Sequence, residues 1–159
     1  MNSTGYRVRH ATKSDLTAVR AVLAENQVSR PPRTETPREA SPREISMWER
    51  MAATSDLTVY LAELGSEPTG TATMMVMPNI TYDCRPSAFI EAVVVRYAHR
   101  RKGVATLLMQ QALADARAAA CFKIQLLSHK RHADDGGHRL YQSLGFTPEA
   151  EGFRLYLRQ

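Results

Sequence analysis

The stretch Val93-Val-Val-Arg-Tyr-Ala-His-Arg-Arg-Lys-Gly-Val-Ala-Thr-Leu-Leu108 decides the fold of this chain. An apolar strand runs through a basic turn with one glycine and continues directly into a helix. The first N–H groups of a helix have no partner inside the helix, and the helix dipole adds positive charge there. Gly103 has no Cβ and leaves room for an anion to approach those groups. The stretch therefore predicts a phosphate-binding turn.

The spelling of this turn excludes two common phosphate loops. A Walker loop requires G-x-x-x-x-G-K-[ST], and a dinucleotide loop requires G-x-G-x-x-G. The turn has a single glycine, Gly103, and its lysine, Lys102, comes before that glycine. A different phosphate-bearing ligand is therefore expected here.

The rest of the chain alternates between strand-like and helix-like segments. Strands are expected at 6–9, 57–64, 70–77, 88–95, 123–127 and 152–158, and helices from Leu16 and at 42–52, 104–120 and 135–144. The helix at 104–120 separates two strands, which predicts that these strands pair in parallel. Thr12 with Asp15 predicts the start of the first helix, and Ser41 followed by Pro42 predicts the start of the second. The proline-rich and arginine-rich segment 29–44 predicts a long exposed loop.

Composition sets the class of protein. A chain of 159 residues with 43% apolar and 23% charged residues fits one soluble domain, residues 1–159, and excludes disordered and fibrous chains. Cys84 and Cys121 are the only cysteines, which excludes a disulfide framework and a zinc ribbon. We expect a cytoplasmic protein without membrane partners, because no signal-like or membrane-spanning run is evident. The net charge of +5 favours an anionic ligand.

Three motifs carry a resemblance to a known family. The pattern R-x-x-G-x-A of Arg100, Gly103 and Ala105 resembles the coenzyme A signature of the GNAT superfamily of N-acetyltransferases. The run Tyr141-Gln-Ser-Leu-Gly-Phe146 is similar to the family's Y-x-x-x-G-F ending, and 89–95 is similar to its fourth strand. The resemblance implies a mixed α+β fold, with a mostly antiparallel sheet of six to seven strands and about four flanking helices. It also implies acetyl-CoA as cosubstrate, no metal, and acetyl transfer to a primary amine.

The resemblance also assigns cofactor contacts. The backbone of Val93 to Val95 would bind the pantetheine arm, with an N–H near Val94 polarising the thioester carbonyl, and the pyrophosphate would lie on 100–106. Asp134 stands where relatives often carry an asparagine that bonds the pantetheine amide. An aspartate cannot donate as an amide does, so capping of the following helix is the alternative. The candidate cofactor-binding residues are Val93, Val94, Val95, Arg100, Arg101, Lys102, Gly103, Val104, Ala105, Thr106 and Asp134.

Two residues are candidates for catalysis. Tyr141 is placed as general acid, because a phenol can protonate a departing thiolate; the alternative is an aromatic ring that only packs beneath the cofactor. Glu91 is the one acid within an apolar strand, which suggests a general base acting directly or through water. The alternative for Glu91 is a carboxylate on the open face of the sheet or paired with an arginine.

Histidines near Tyr141 raise two further questions. His138 lies three residues before Tyr141 and could touch the active site, although packing against the sheet is the favoured interpretation. His129 and His132 with Asp134 superficially suggest a metal site. Neither their spacing nor the family supports one, so no metal is expected.

The acceptor pocket is expected to involve the loop 29–44 and the connection 77–84, where Asn79 and Tyr82 are candidate contacts. Four arginines against three glutamates in that loop predict neither a strongly cationic nor a strongly anionic acceptor. The leading hypothesis is a small primary amine, such as an amino acid, a polyamine or an amine-bearing antibiotic. The alternatives are a protein amine or an aminoacyl-tRNA, and a non-catalytic acyl-CoA-binding module. No basic arm favours nucleic acid, and a homodimer is left open.

Overall fold

A computed structural model describes residues 5–26, 38–132 and 136–157 of the protein. Its strands form one sheet in chain order: β1 (Tyr6–His10), β2 (Leu57–Leu64), β3 (Glu67–Met77), β4 (Ser87–Val95) and β5 (Lys123–Leu126). β1 to β4 pair antiparallel, and β5 pairs with β4 in parallel, as the intervening helix predicts. The predicted α+β class and the mostly antiparallel sheet are confirmed. The described residues form five strands rather than the six or seven expected.

The helices are α1 (Leu16–Leu23), α2 (Pro42–Ala53), α3 (Thr81–Cys84), α4 (Val104–Ala118) and α5 (Gly137–Ser143). Short 3-10 turns at Lys13–Asp15, Tyr97–His99 and Lys130–His132 complete the secondary structure. α3 is a single turn in which Tyr82, Asp83 and Cys84 all have positive φ. No described helix has the length and apolar character needed to cross a membrane.

Both predicted helix starts are confirmed by capping contacts. The Asp15 carboxylate accepts the N–H of Thr12 at 2.6 Å. At the start of α2, the Ser41 hydroxyl accepts the N–H of Glu44 at 3.3 Å, and the Glu44 carboxylate accepts the N–H of Ser41 at 2.8 Å. These reciprocal bonds satisfy N–H groups that the helix itself cannot use. The predicted loop 29–44 lies mostly outside the described residues.

The sheet separates two hydrophobic cores. Alternate residues of β2 point to opposite faces, so Tyr60 and Ala62 contact α4 while Val59 and Leu61 contact α1 and α2. The larger core contains Tyr6, Tyr60, Ala62, Ala72, Met74, Ala88, Ile90, Val104, Leu108, Met109, Ala112 and Ala116. The smaller core contains Val19, Trp48, Val59 and Leu61. The molecule therefore has three layers, with the sheet in the middle.

The predicted strand at 152–158 is wrong over its described part. Residues 151–157 form no strand, and Phe153, Leu155 and Leu157 are exposed. Alternation of apolar and polar residues is a local pattern, whereas a strand also needs a partner to satisfy its N–H and C=O groups. No described strand pairs with this segment, and β5 is left as the edge of the sheet.

Gly70 sets the distance between the sheet and α4. A Cβ built on Gly70 would lie 2.9 Å from Val104 Cγ1, 3.1 Å from Leu108 Cδ1 and 3.2 Å from the Val94 carbonyl oxygen. Each of these distances is shorter than ordinary van der Waals contact. Glycine at this position therefore allows the first turn of α4 to pack directly on β3 and β4.

We expect Gly70→Ala to lower the free energy of unfolding by about 1–3 kcal/mol, because the added methyl group overpacks this contact. Urea unfolding of the purified protein measures the change. Val104→Ala removes the nearest clashing atom, so the double variant should lose less stability than the sum of the two single variants. Wild-type stability of Gly70→Ala would contradict the close packing described here.

Candidate functional site

β4 contains one more residue than the part of β3 that it faces. Thr73 lies opposite Glu91 and Thr71 lies opposite Val94, so one β3 residue faces two residues of β4. Within this bulge Ala92 has φ of 52°, in the left-handed region that residues with a Cβ avoid. Bulges of this kind bend a strand and often lie beside functional sites.

The bulge begins where β4 and β5 separate. The two strands pair only between Ser87–Ile90 and Lys123–Leu126. Beyond Ile90, no described strand pairs with the edge of β4 that faced β5. The backbone groups on that edge of residues 91–95 can therefore bind an extended ligand by adding a strand-like partner. We refer to this opening between β4 and the end of β5 as the cleft.

The glycine turn leads from the cleft into α4. Gly103 has φ of 84° and caps the helix, and the position of its missing Cβ has no atom within 4 Å. The N–H of Leu107 bonds to the Gly103 carbonyl oxygen at 3.0 Å, so the N–H groups of residues 104–106 precede the first helical hydrogen bond. The turn thus presents open N–H donors and an unobstructed approach for an anion.

Two of the basic residues in the turn hold the loop in place. Arg96 Nε donates to the Glu25 carboxylate at 2.8 Å, and a second Arg96 nitrogen donates to Glu67 at 3.1 Å. Arg100 donates to the carbonyl oxygens of Val95 and Glu25, each at 3.1 Å. Arg100 was predicted to bind the cofactor, and these contacts give its guanidinium a positioning role between β4 and the end of α1.

Glu25 is the anion on which this arrangement depends. Its side chain is buried and accepts the backbone N–H of Tyr97 as well as the Arg96 guanidinium. Burial by itself would raise the pKa of Glu25, but the hydrogen bonds from Arg96 and Tyr97 outweigh it and lower the pKa. Glu25 therefore remains ionised and fixes the turn against the end of α1.

Arg101 and Lys102 remain exposed on the turn, and Arg101 approaches Arg139 of α5. A Cβ placed on Gly136 would lie 2.5 Å from one Arg101 nitrogen and 3.7 Å from one Arg139 nitrogen. No acidic side chain in the described ranges forms a salt bridge with either arginine. Two guanidinium groups this close favour an anion between them. Sequence reasoning missed Arg139, because only the packing of α5 beside the turn brings it here.

Glu91 lies on the face of β4 that points away from α4, and its side chain is exposed. It faces Thr73, and residues directly opposite each other in an antiparallel pair share one face of the sheet. The position of Glu91 on an open face of the sheet leaves its side chain accessible, and its role as general base stays a prediction. Arg154 is near enough to interact with it electrostatically.

Tyr141 and His138 lie on the same side of α5. Tyr141 is half-buried, packs against the larger core and meets the Phe146 ring edge-to-face at 6.0 Å. One turn earlier, the buried His138 Nε2 has no hydrogen-bond partner among the residues that the structure describes. A buried polar atom without a partner is costly in a folded protein, and ligand binding is one way to satisfy it.

A cavity of about 460 Å³ lies between α1 and α2 above β2 and β3. Its floor includes Thr71 and Thr73, the residues that face Val94 and Glu91 across the strand pair. Asn79 and Tyr82, expected to contact the acceptor, do not line it. The Tyr82 ring instead stacks on Phe122 with a centroid separation of 4.0 Å, just before β5 begins.

The described ranges contain no cluster of three His, Cys, Asp or Glu side chains that could hold a metal ion. Asp134, assigned above to the pantetheine amide or to a helix cap, lies outside them.

The fold and the cleft define an α+β protein whose fourth strand presents a free edge beside an anion-binding helix start. The chain belongs to the acetyltransferase (GNAT) family, whose model matches residues 21–146. A protein from Agrobacterium tumefaciens assigned as an acetyltransferase is 29% identical, with a TM-score of 0.83 over 95% of this chain and 99% of that one. A transcriptional regulator from Bacillus halodurans is 26% identical, with a TM-score of 0.83 over 96% and 99%. The aminoglycoside N-acetyltransferase AAC(6')-Iy, solved with CoA, shares the fold at 18% identity, with a TM-score of 0.73 over 97% and 95%.

We expect Glu25→Gln to lower the free energy of unfolding by about 1–3 kcal/mol at neutral pH, because the amide loses the charged partner of Arg96. The pKa of Glu25 is lowered in the folded state, so its contribution is present above the ordinary carboxylate pKa of about 4.3 and is lost as pH falls below it. Urea unfolding between pH 7 and pH 3 should show a weaker pH dependence for Glu25→Gln than for wild type. Glu49→Gln, at an exposed position of α2, is the control and should match wild type. Equal pH dependence of Glu25→Gln and wild type would contradict the assigned role.

Proposed function

We propose that the protein is an acetyl-CoA-dependent N-acetyltransferase that acts on a primary amine of a small molecule. The observation that carries the proposal is the bulge in β4. There the strand diverges from β5, and the turn that follows β4 leads to the open start of α4. Family membership and the structural similarity to an N-acetyltransferase solved with CoA support it. The cavity of about 460 Å³ beside β4 has the size of pockets that bind small molecules.

The described residues fit coenzyme A in three respects. Val93, Val94 and Val95 would bond the amide groups of the pantetheine arm through their free backbone edge. The N–H groups of residues 104–106 would hold the pyrophosphate, with Gly103 allowing its approach. The exposed cations Arg101, Lys102 and Arg139 would neutralise the phosphates, and the unpartnered His138 Nε2 provides a further contact.

The proposed reaction is direct attack by the amine on the acetyl thioester that coenzyme A supplies. As the C–N bond forms and the C–S bond breaks, a backbone N–H near Val94 would stabilise the carbonyl oxygen, a contribution of about 3 kcal/mol. Tyr141 would give its proton to the departing thiolate. The exposed Glu91, on the cavity face, would take a proton from the amine through water.

We expect Tyr141→Phe to reduce kcat by a factor on the order of 10²–10³, because the ring still packs but the acid is lost. Thiol release from acetyl-CoA with a broad panel of small amines measures this, and the KM for acetyl-CoA should stay unchanged. Tyr82→Phe removes a phenol hydroxyl from the exposed stack on Phe122 and should retain full kcat.

Three outcomes would contradict parts of this proposal. Full kcat in Tyr141→Phe would show that Tyr141 only packs beneath the cofactor. Binding of acetyl-CoA without turnover of any amine would indicate a non-catalytic acyl-CoA-binding module, and turnover confined to a protein amine or aminoacyl-tRNA would overturn the small-molecule assignment.

We expect Gly103→Glu to weaken CoA binding on the order of 100-fold, because the side chain fills the phosphate position and brings a negative charge. Calorimetric titration with CoA measures the affinity. Gly65→Glu is a matched control, since Gly65 also has positive φ and open space at its missing Cβ but lies in the β2–β3 hairpin. Retained affinity in Gly103→Glu would remove the argument for phosphate binding at this turn.

A further inference from the structure

We infer that the acceptor amine carries an apolar body and an anionic group such as a carboxylate, and that polyamines and aminoglycosides are excluded. The inference rests on the proposed function and names the substrate class of the same site. It is carried by the side chains that line the cavity between α1 and α2, which we refer to as the acceptor cavity.

The described residues at the rim of the acceptor cavity carry a net positive charge. Three arginines, Arg20, Arg38 and Arg43, line it together with one acid, Glu44. Among the lining residues the formal charge is therefore three positive groups against one negative group. A polycationic ligand would meet net repulsion at this rim, whereas an anionic group would be attracted.

Glu44 has no capacity left for a ligand's ammonium group. Arg38 donates two hydrogen bonds to it at 2.8 Å each, and Arg20 donates one at 3.1 Å. The Ser41 N–H and hydroxyl donate two more, at 2.8 and 2.7 Å. A carboxylate offers about four acceptor positions, so these five donors occupy it completely. Glu44, the one acid among the described residues that line the cavity, is thus committed to the start of α2.

Arg43 is the cation available to a ligand. It is exposed at the second position of α2, and no acidic side chain in the described part of the chain forms a salt bridge with it. Arg20 and Arg38, in contrast, are held by Glu44 and by backbone carbonyl oxygens. A planar guanidinium with free donors matches a carboxylate in a bidentate arrangement.

The walls of the acceptor cavity select the body of the ligand. Apart from the arginines, the side chains of α1 and α2 that line it are mainly apolar; they are Leu16, Val19, Leu23, Met47, Trp48 and Met51. The indole N–H of Trp48 is already bonded to the Lys13 carbonyl oxygen at 2.9 Å, so the ring offers the cavity only its apolar surface. A hydroxyl-rich sugar would lose hydration against these walls without gaining hydrogen bonds, whereas an aliphatic body would be stabilised.

The floor of the acceptor cavity determines which end of the ligand points toward β4. Thr71 Oγ1 donates to the Tyr60 carbonyl oxygen at 2.8 Å and keeps the floor fixed. Thr71 and Thr73 lie across the strand pair from Val94 and Glu91, where the proposed chemistry takes place. An amine on the floor with its anion at Arg43 would therefore span the cavity in one orientation.

Trp48 provides a direct test, because it is the only tryptophan of the chain and lines the acceptor cavity. We would titrate the protein, with CoA present, with valine, leucine and isoleucine and with isobutylamine, 3-methylbutylamine and 2-methylbutylamine, which lack only the carboxylate. Spermidine and an aminoglycoside complete the panel. Fluorescence change of Trp48 reports occupancy independently of acetyl transfer.

We expect at least one amino acid to bind at least tenfold more tightly than its decarboxylated counterpart, and the polycations to bind more weakly still. Arg43→Gln should reduce that ratio to nearly one. Arg50→Gln, on α2 but outside the cavity lining, should leave it unchanged. Tighter binding of the polycations, equal binding of the matched pairs, or no response to any amino acid would overturn the inference.

Thiol release with the same panel separates this inference from the proposed function. Selective binding of amino acids without any acetyl transfer would leave the inferred class of ligand standing and reject the proposed enzymatic activity. Acetyl transfer to amines regardless of their anionic group would leave the enzyme standing and reject the substrate class.

Discussion

The extra residue in β4 is the constraint on which the site depends. Ala92 adopts a left-handed conformation that costs roughly 1–2 kcal/mol for a residue with a Cβ. The strand is held on both sides of it: Ile90 still pairs with Leu126, and the Arg96 N–H bonds to the Thr69 carbonyl oxygen at 2.9 Å. A regular strand held at these two points would continue along β5 and leave no cleft.

The extra residue in β4 also reverses, for the residues that follow it, which side chains face the core beneath α4. Val93 and Val95 pack against the α4 side of the sheet, whereas Val94 faces Thr71 on the cavity side. In a regular strand, Glu91 and Val94 would point to opposite faces, because side chains alternate with a period of two. The bulge restores both to the cavity face. One backbone distortion therefore opens the edge of β4 and orients the two positions assigned to the reaction.

Local sequence patterns predicted most of the helices and strands. The features that they did not predict depend on contacts between residues distant in sequence. Ser41, Pro42 and Glu44 specify the start of α2 through contacts within four residues, so the sequence alone sufficed. The bulge was not predictable, because Ala92 is not a residue type that marks a left-handed turn. Glu91 was expected among apolar neighbours, but adjacent strand positions point to opposite faces, and its own face is open. The strand predicted at 152–158 has the right alternation and lacks a partner among the described strands.

The charged residues also show what composition can predict and what only the folded structure decides. The excess of +5 favours an anionic ligand, yet it could not distinguish cations that hold the loop from cations that face solvent. Arg96 and Arg100 belong to the first group because Glu25 lies buried at the end of α1. Arg101, Lys102 and Arg139 belong to the second group. Which cations fall into each group depends on where α1 and α5 pack, and no spacing in the sequence encodes that packing.

In the proposed function β4 meets two ligands in two different ways, which explains why the sequence pointed to the family and not to the acceptor. Its free edge and the following turn would contact a cofactor mainly through backbone groups and glycine, so their requirements appear as a short motif in 93–106. An acceptor on its cavity face would instead be contacted by side chains of α1, α2 and β3 that are distant in sequence. These side chains can change without disturbing the edge. The acceptor is therefore determined by the shape and charge of the cavity, and only the packed structure brings Arg43, Trp48 and Thr73 together.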